Sequence, residues 1–199
     1  MDCNSQTTIK QFFDHMADTW DEENWIDANK IAAIVTLAGI RKSARVIDIA
    51  CGTGVLFPEL LSRNPSLLLG VDLSDRMIER AREKYSDPRL RLLASDLFQV
   101  KETGFDAAII FNAYPHFGEK KALAVQAEKL LTPGGRLTVA HGGGRQIING
   151  CHTGEAVSRI SWPLRPASEE AAEFSDFFEI DMIVDSPEIY LFSGTKKET

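Results

Sequence analysis

From residue 45 onward, short, near-continuous apolar runs alternate with longer stretches that read as helical patterns. The runs are Arg45-Val-Ile-Asp-Ile-Ala50, Leu67-Leu-Leu-Gly-Val-Asp72, Leu90 to Ala94, Phe105-Asp-Ala-Ala-Ile-Ile-Phe111 and Arg136 to Ala140. They read as strands covered on both faces, since a strand with one wet face would alternate polar and apolar residues. Helices are predicted between them, over Val55 to Ser62, from Ser74 or Asp75 onward, and from about Glu119 to Leu131. Ser74 or Asp75 is the candidate N-cap of the second, which turns Met77, Ile78 and Ala81 towards a core. Pro133-Gly134-Gly135 stops the third. Strand and helix in alternation make a mostly parallel sheet with helices on both faces, a doubly wound α/β fold.

The two ends depart from this rhythm. Phe178 to Val184 and Ile189 to Thr195 are strand-like, and Asp185-Ser-Pro-Glu188 between them is too short for a helical crossover. Those strands should therefore pair antiparallel. Ile9 to Gly39 reads as two helices, the first carrying Phe12, Phe13, Met16 and Trp20, the second Ile31, Ile34, Val35 and Leu37. With no internal repeat, linker or low-complexity tract in 199 residues, a single domain, 1–199, is expected.

Hydrophobic residues make up 44% and charged residues 26%, as in soluble globular proteins. No apolar run approaches the ~18 residues of a membrane span, and Met1 to Lys10 lacks the pattern of a signal peptide. Cys3, Cys51 and Cys151 are too scattered for a disulfide framework, so a cytoplasmic setting is expected, with no membrane partner. The net charge of −7 argues against a nucleic-acid partner, whose binding rests on neutralising phosphates. Arg76, Arg80, Arg82 and Lys84 do cluster, but Glu79 and Glu83 interleave with them, the pattern of a solvated helix face.

The chemistry concentrates at Val46-Ile-Asp-Ile-Ala-Cys-Gly-Thr-Gly54, a strand-to-helix turn. Gly52 and Gly54 let a ligand approach the backbone, and the helix that follows offers free N–H groups there. Asp72 ends the second strand, at the place where α/β nucleotide folds accept hydrogen bonds from ribose hydroxyls. Asp96 ends the third. Asp48, Asp72 and Asp96 thus stand at the carboxyl ends of successive strands, where open sheets bind ligands. Phe57 occupies the position of the third glycine in the dinucleotide fingerprint, which weakens a nicotinamide or flavin reading. A cationic sulfonium without phosphates suits this many carboxylates with no nearby Lys or Arg.

In these pieces the chain resembles the class I S-adenosylmethionine-dependent methyltransferases of small-molecule type. The matching segments are Val46 to Gly54, Gly70-Val-Asp-Leu-Ser74, Ala94-Ser-Asp-Leu97, Phe105 to Asn112 and Leu130-Leu-Thr-Pro-Gly-Gly-Arg136, in the family's order. The resemblance implies a Rossmann-like sheet of seven strands, the last antiparallel, preceded by N-terminal helices, and S-adenosyl-L-methionine as cofactor. It implies that Asp48 and the turn Ala50, Cys51, Gly52 and Gly54 hold the methionine part. Asp72 would take the ribose, Leu73 and Met77 the adenine face, and Ser95, Asp96 and Leu97 the adenine edge. Asn112 would line the methionine side. Residues 1–44 resemble a helical lid in which Trp20 and Phe13 cover the cofactor and keep water out. Each of these positions also has a plainer reading: Asp75 or Asp96 as a helix cap, Cys51 as a small turn residue, the aromatics as core.

Substrate chemistry is expected after the fourth and fifth strands. Asn112-Ala-Tyr-Pro-His116 breaks the order of the Asn/Asp-Pro-Pro-Tyr/Phe sequence that DNA-base methylating enzymes carry at this place, which leaves Tyr114 and His116 near the methyl group. His141-Gly-Gly-Gly-Arg145 ends the fifth strand, and a helix over 145–153 would place Arg145, Asn149 and His152 on one face. Residues 142–167 form the candidate substrate-side insertion, with 154–167 as a loop before a helix from Ser168 to Phe177. The candidate catalytic set is therefore Tyr114, His116, His141, Arg145, Asn149 and His152. A metal held by the histidines is a weaker alternative, because their spacing matches no metal signature and Cys151 should face away from His152. A small-molecule substrate and a monomer or homodimer are expected. The competing readings are a non-catalytic S-adenosylmethionine-binding sensor or partner protein of the same fold, and a nicotinamide dehydrogenase.

Overall fold

Seven strands form one sheet in the order β3-β2-β1-β4-β5-β7-β6. They are β1 (Arg45–Ile49), β2 (Leu67–Asp72), β3 (Leu90–Ala94), β4 (Phe105–Phe111), β5 (Leu131–His141), β6 (Phe178–Asp185) and β7 (Tyr190–Lys196). This computed structural model describes the backbone of residues 3–198 and the side chains of residues 6–155 and 157–198. β1 to β5 pair in parallel, whereas β7 runs antiparallel to both β5 and β6, as the short Asp185-Ser-Pro-Glu188 connection requires. The chain builds outward from β1 through β2 to β3, then returns to place β4 on β1's other side. That reversal opens a crevice at the carboxyl ends of β1 and β4.

Two apolar layers cover the sheet, which explains why the central strands carry almost no polar residues. One face packs against α6 (Lys120–Leu130) and α9 (Ala167–Ala172) through Leu123, Ala127, Ala171 and the neighbouring Phe174. The other packs against α3 (Ala28–Leu37), α4 (Phe57–Ser62) and α5 (Asp75–Lys84) through Ile34, Val35, Leu60 and Ile78. Ser74 rather than Asp75 caps α5, its hydroxyl accepting from the Met77 amide at 3.1 Å.

The elements differ from expectation in four places. The N-terminal region holds α1 (Cys3–Met16) and α2 (Trp20–Glu23) before α3, because the chain breaks at Ala17-Asp18-Thr19 and restarts where Asp27 accepts from the Asn29 and Lys30 amides. Thr132-Pro-Gly-Gly135 is a bulge within β5: Leu131 still pairs with Phe105 and Arg136 with Ala107, while Gly134 turns at φ +70°. The expected loop after α7 (Arg145–Cys151) contains a short helix, α8 (Glu155–Ser158). The expected helix from Ser168 to Phe177 is shortened to α9. No helix among the described residues is long and apolar enough to cross a membrane.

Candidate functional site

The crevice at the ends of β1 to β5 is a cavity of about 440 Å³, roofed by α1 and α2. That volume lies within the range of small-ligand sites, ~300–1,000 Å³. Its floor is the glycine turn after β1. Ala50, Gly52 and Gly54 all have positive φ, at 56°, 54° and 87°, a conformation L-residues adopt at a cost. A Cβ on Gly54 would stand 2.3 Å from the Phe57 ring, and one on Gly70 would stand 2.7 Å from it. Phe57 is fully buried and fills the space between α4 and β2, where a dinucleotide fold brings helix and sheet together over a third glycine. A Cβ on Gly52 would instead face the cavity side, 3.9 Å from the indole Nε1 of Trp20.

Asp72 is bound on both carboxylate oxygens: the Gly52 amide donates to Oδ2 at 2.8 Å and the Ser74 amide to Oδ1 at 2.9 Å. Burial pushes its carboxyl up to about 6, against the pull of those amides. Asp48 lies beneath the turn, fully buried, and does not border the cavity. Its Oδ2 has no hydrogen-bond partner among the described residues, and burial with the nearby Asp72 raises its carboxyl well above the usual range. Burial likewise raises the Cys51 thiol, which leaves it protonated and inert in the turn. Asp96 does two things. Its Oδ1 accepts from the Phe98 amide at 3.0 Å and caps a 3₁₀ turn, while Oδ2 accepts from Gln6 Nε2 at 2.9 Å. Asn112, at φ +53°, uses its Oδ1 to hold the Gly142 amide at 2.9 Å, tying the ends of β4 and β5 together at the cavity's edge. Leu73, Met77, Ser95 and Leu97 also border the cavity, whereas Gly54 faces its own helix.

The covering helices are fastened by polar contacts around an apolar underside. Phe13 meets Trp20 edge to face at 5.6 Å and the His116 ring at 5.0 Å. Asp14 accepts from the Ser74 hydroxyl and Asp21 from the Thr53 hydroxyl, both at 2.6 Å. Asp18 pairs with Arg76 and Arg80, Asp21 with Lys84, and Lys10 with Asp75. The basic cluster on α5 is therefore more than a solvated face: besides its i,i+3 partners Glu79 and Glu83, it clasps the cover. Gln6, Asp21 and Glu23 border the cavity although the residue pattern singled out only the aromatics. The acidic spacing Asp14, Asp18, Asp21, one helical turn apart and opposite a basic helix, was the signal available.

The far end of the cavity is walled by His116, His141 and His152, brought together from the turn after β4, the end of β5 and the end of α7. His116 Nδ1 donates to the Ile160 carbonyl at 2.9 Å and His152 Nδ1 to the Ile148 carbonyl at 2.6 Å. With Nδ1 as the donor, the neutral form of either ring keeps its lone pair on Nε2. The two rings lie 5.3 Å apart. His141 is 1% exposed, packs against Tyr190 at 5.8 Å, and neither ring nitrogen has a partner among the described residues. Burial drives His116 down to about 4 and His141 down to about 3, with the other histidines and Lys120 adding to the shift. Cys151 and His152 both border the cavity, although they were expected to face apart. Among the described residues no group of His, Cys, Asp and Glu is placed to hold a metal ion.

Three expected members of the wall are elsewhere. The Tyr114 hydroxyl is buried and donates to Glu170 Oε2 at 2.8 Å, because the 3₁₀ turn Tyr114–His116 sends successive side chains to different sides. Arg145 is drawn to Asp185, 3.4 Å away. Asn149 exchanges two hydrogen bonds with the Leu164 backbone, at 3.0 and 2.8 Å, which anchors the insertion behind the wall.

Residues 46–135 match the family model described as a methyltransferase domain. An uncharacterized methyltransferase of Mycobacterium tuberculosis is 30% identical over 96 residues, which is 47% of this chain and 48% of the relative. A demethylmenaquinone methyltransferase of Corynebacterium kroppenstedtii is 35% identical over 97 residues, 48% of this chain and 40% of the relative. The chain spans about half the length of the curated relatives it matches. In fold it is similar to an N-methyltransferase from Bradyrhizobium japonicum solved with S-adenosyl-L-homocysteine, at a TM-score of 0.72 and 15% identity, covering 96% of this chain and 100% of that one. A turn of this form, a carboxylate at the end of each of the next two strands, and the matched segment make residues 46–135 similar to a methyltransferase domain, in the fold that the Bradyrhizobium japonicum N-methyltransferase also has.

Proposed function

We propose that the chain binds S-adenosylmethionine over the Gly52 turn and transfers its methyl group to a small molecule seated against the histidine wall. One observation carries this reading: a single covered cavity runs from Asp72 and Asp96 to His116, His141 and His152. The residues present fit the cofactor. Asp21, Glu23, Asp72 and Asp96 border the cavity, no Lys or Arg does so among the described residues, and Gly52 has space above it. That charge balance favours a sulfonium and disfavours a pyrophosphate. The names of the relatives, a demethylmenaquinone methyltransferase among them, agree with a small-molecule acceptor.

When bound, S-adenosylmethionine supplies a methyl carbon made electrophilic by its positive sulfur. Asp72 would accept from the ribose hydroxyls, releasing the Gly52 and Ser74 amides or sharing its oxygens with them. Asp96 would accept from the adenine edge, with Leu73, Met77 and Leu97 against the ring. The Gly52 turn and Asn112 would border the methionine part, and Asp48 would hold the turn from below. Residues 1–44 serve as the lid: Phe13 and Trp20 exclude water from the reacting atoms. Residues 142–167 serve as the substrate-side insertion, with Asn149 and Arg145 holding it in place rather than touching substrate. Nucleic acid is excluded from this reading by the acidic cavity, and the setting is the cytoplasm. The chain works as a monomer or homodimer.

Calorimetry with S-adenosylhomocysteine and with NAD, followed by labelled methyl transfer to thiols, amines, phenols, quinones and metalloid oxyanions, tests the proposal. Binding of S-adenosylhomocysteine with label transfer to one acceptor is the expected result. Binding without transfer across the panel would favour a sensor, and binding of NAD alone would remove the reading.

A further inference from the structure

Resting on that reading, we propose that the histidine end of the cavity is a subsite for an uncharged, hydroxyl-bearing ring, and that it rejects carboxylates and phosphates. The first reason is charge. An acidic acceptor needs a cation beside it, and Arg145, the residue placed to supply one, is held instead by Asp185. Lys120 is also engaged, its Nζ donating to the Tyr114 carbonyl at 2.7 Å outside the cavity. An anion entering here would find no cation on the cavity wall among the described residues, and would face the cavity's own carboxylates.

The second reason is hydrogen-bonding capacity. His141 is buried with both ring nitrogens unpartnered among the described residues, and a neutral imidazole presents one donor and one acceptor. Leaving a ring nitrogen unmet in a buried site is costly, so the occupant should satisfy the one it reaches. A hydroxyl suits either nitrogen, accepting from the N–H or donating to the bare one. His116 and His152 add two further acceptors, since each commits its Nδ1 hydrogen to a carbonyl. The third reason is shape: Phe13, Phe117, Ile148 and Val157 close around these polar atoms with apolar surface suited to a ring.

The chemistry balances with these groups alone on the protein side. Transfer forms a bond from the hydroxyl oxygen to the methyl carbon and breaks the carbon–sulfur bond, whose electron pair returns to sulfur. The hydroxyl proton passes to an imidazole Nε2 and then to water. The depressed basicity of His116 and His141 suits a late proton acceptor, because an oxygen that has gained a methyl group while still protonated is strongly acidic.

The test uses the full chain saturated with S-adenosylhomocysteine, and 2-naphthol, 2-naphthoate and 2-naphthyl phosphate as probes at pH 7. Calorimetry should give at least tenfold tighter binding of the naphthol than of either anion, with the preference lost in His141→Leu. Equal or tighter binding of an anion, or no naphthol binding, overturns the subsite. In parallel, NMR titration of the imidazole protons should show two rings still neutral at pH 5. Three or more of the four rings protonated at pH 6.5 would put positive charge on His116 or His141 and overturn it independently. Failure of S-adenosylhomocysteine itself to bind would instead defeat the cofactor assignment, and the NMR titration would then decide the subsite.

Discussion

Gln6 and Asp96 are 90 positions apart, yet Gln6 Nε2 donates to Asp96 Oδ2 at 2.9 Å, so the first helix is bonded to the acceptor at the end of β3. A ligand held at Asp96 therefore senses whether that helix is in place. Gln6→Ala should weaken S-adenosylhomocysteine binding about two- to tenfold, the effect of losing one hydrogen bond. Calorimetry checks this, and an unchanged Kd would separate the cover from the adenine end.

Asp72 gives cofactor binding a pH dependence. Its carboxyl titrates at about 6 in the folded chain against 3.8 ordinarily, so the folded state takes up a proton as pH falls through 6. A ribose needs the ionised form. Affinity for S-adenosylhomocysteine should fall up to tenfold per pH unit below 6, and Asp72→Asn should be weak at every pH with a flat profile. Asp72→Ala should abolish measurable binding, a loss of roughly 2–4 kcal/mol for two charge-assisted bonds, without unfolding the chain.

The buried histidines act in the opposite direction on stability. His116 and His141 titrate at about 4 and 3 when folded and at 6.5 ordinarily, so the unfolded chain binds more protons below pH 6.5. Stability present above 6.5 is lost on acidification, by up to about 1.4 kcal/mol per pH unit for each ring. The uptake of a proton by folded Asp72 offsets part of this below pH 6. Thermal unfolding between pH 7.5 and 5 should show His141→Leu losing less Tm on acidification than the parent. Parallel curves would count against the buried neutral ring.

Gly54→Ala should cost at least about 2 kcal/mol, combining a left-handed backbone with a Cβ forced against Phe57. Chemical denaturation of Gly54→Ala, Phe57→Leu and the double variant measures the coupling. Strict additivity would mean that the backbone conformation alone sets the cost.

The parallel core was legible because its central strands are covered on both faces, so Ala107 to Phe111 had no polar residue to confuse the period and Val46 to Ile49 had only Asp48. Asp72 and Asp96 were legible for a related reason: a carboxylate ending an otherwise apolar strand has no role in the sheet itself. The wall was only half legible. Histidines after β4 and β5 could be placed at the same end of the sheet, but which way Tyr114, Arg145 and Asn149 turned depended on Glu170, Asp185 and Leu164. Those partners come from the insertion and the tail, segments with no strict period. The contact of Gln6 was illegible for the same reason, since a lone polar residue on a covering helix looks like any solvated one until its partner is known.

The cover is fastened at its rim by Asp18, Asp21 and Lys10, whose ion pairs with α5 are partly exposed. Such pairs are each worth less than ~1 kcal/mol and weaken within physiological salt. The sheet beneath owes its cohesion to apolar layers that salt leaves intact. Opening the cavity and unfolding the chain are therefore governed by different forces. Under the proposed function, ionic strength would be a control on traffic, setting how fast a spent cofactor and a methylated product leave, while the geometry that aligns the reacting atoms would stay as it is.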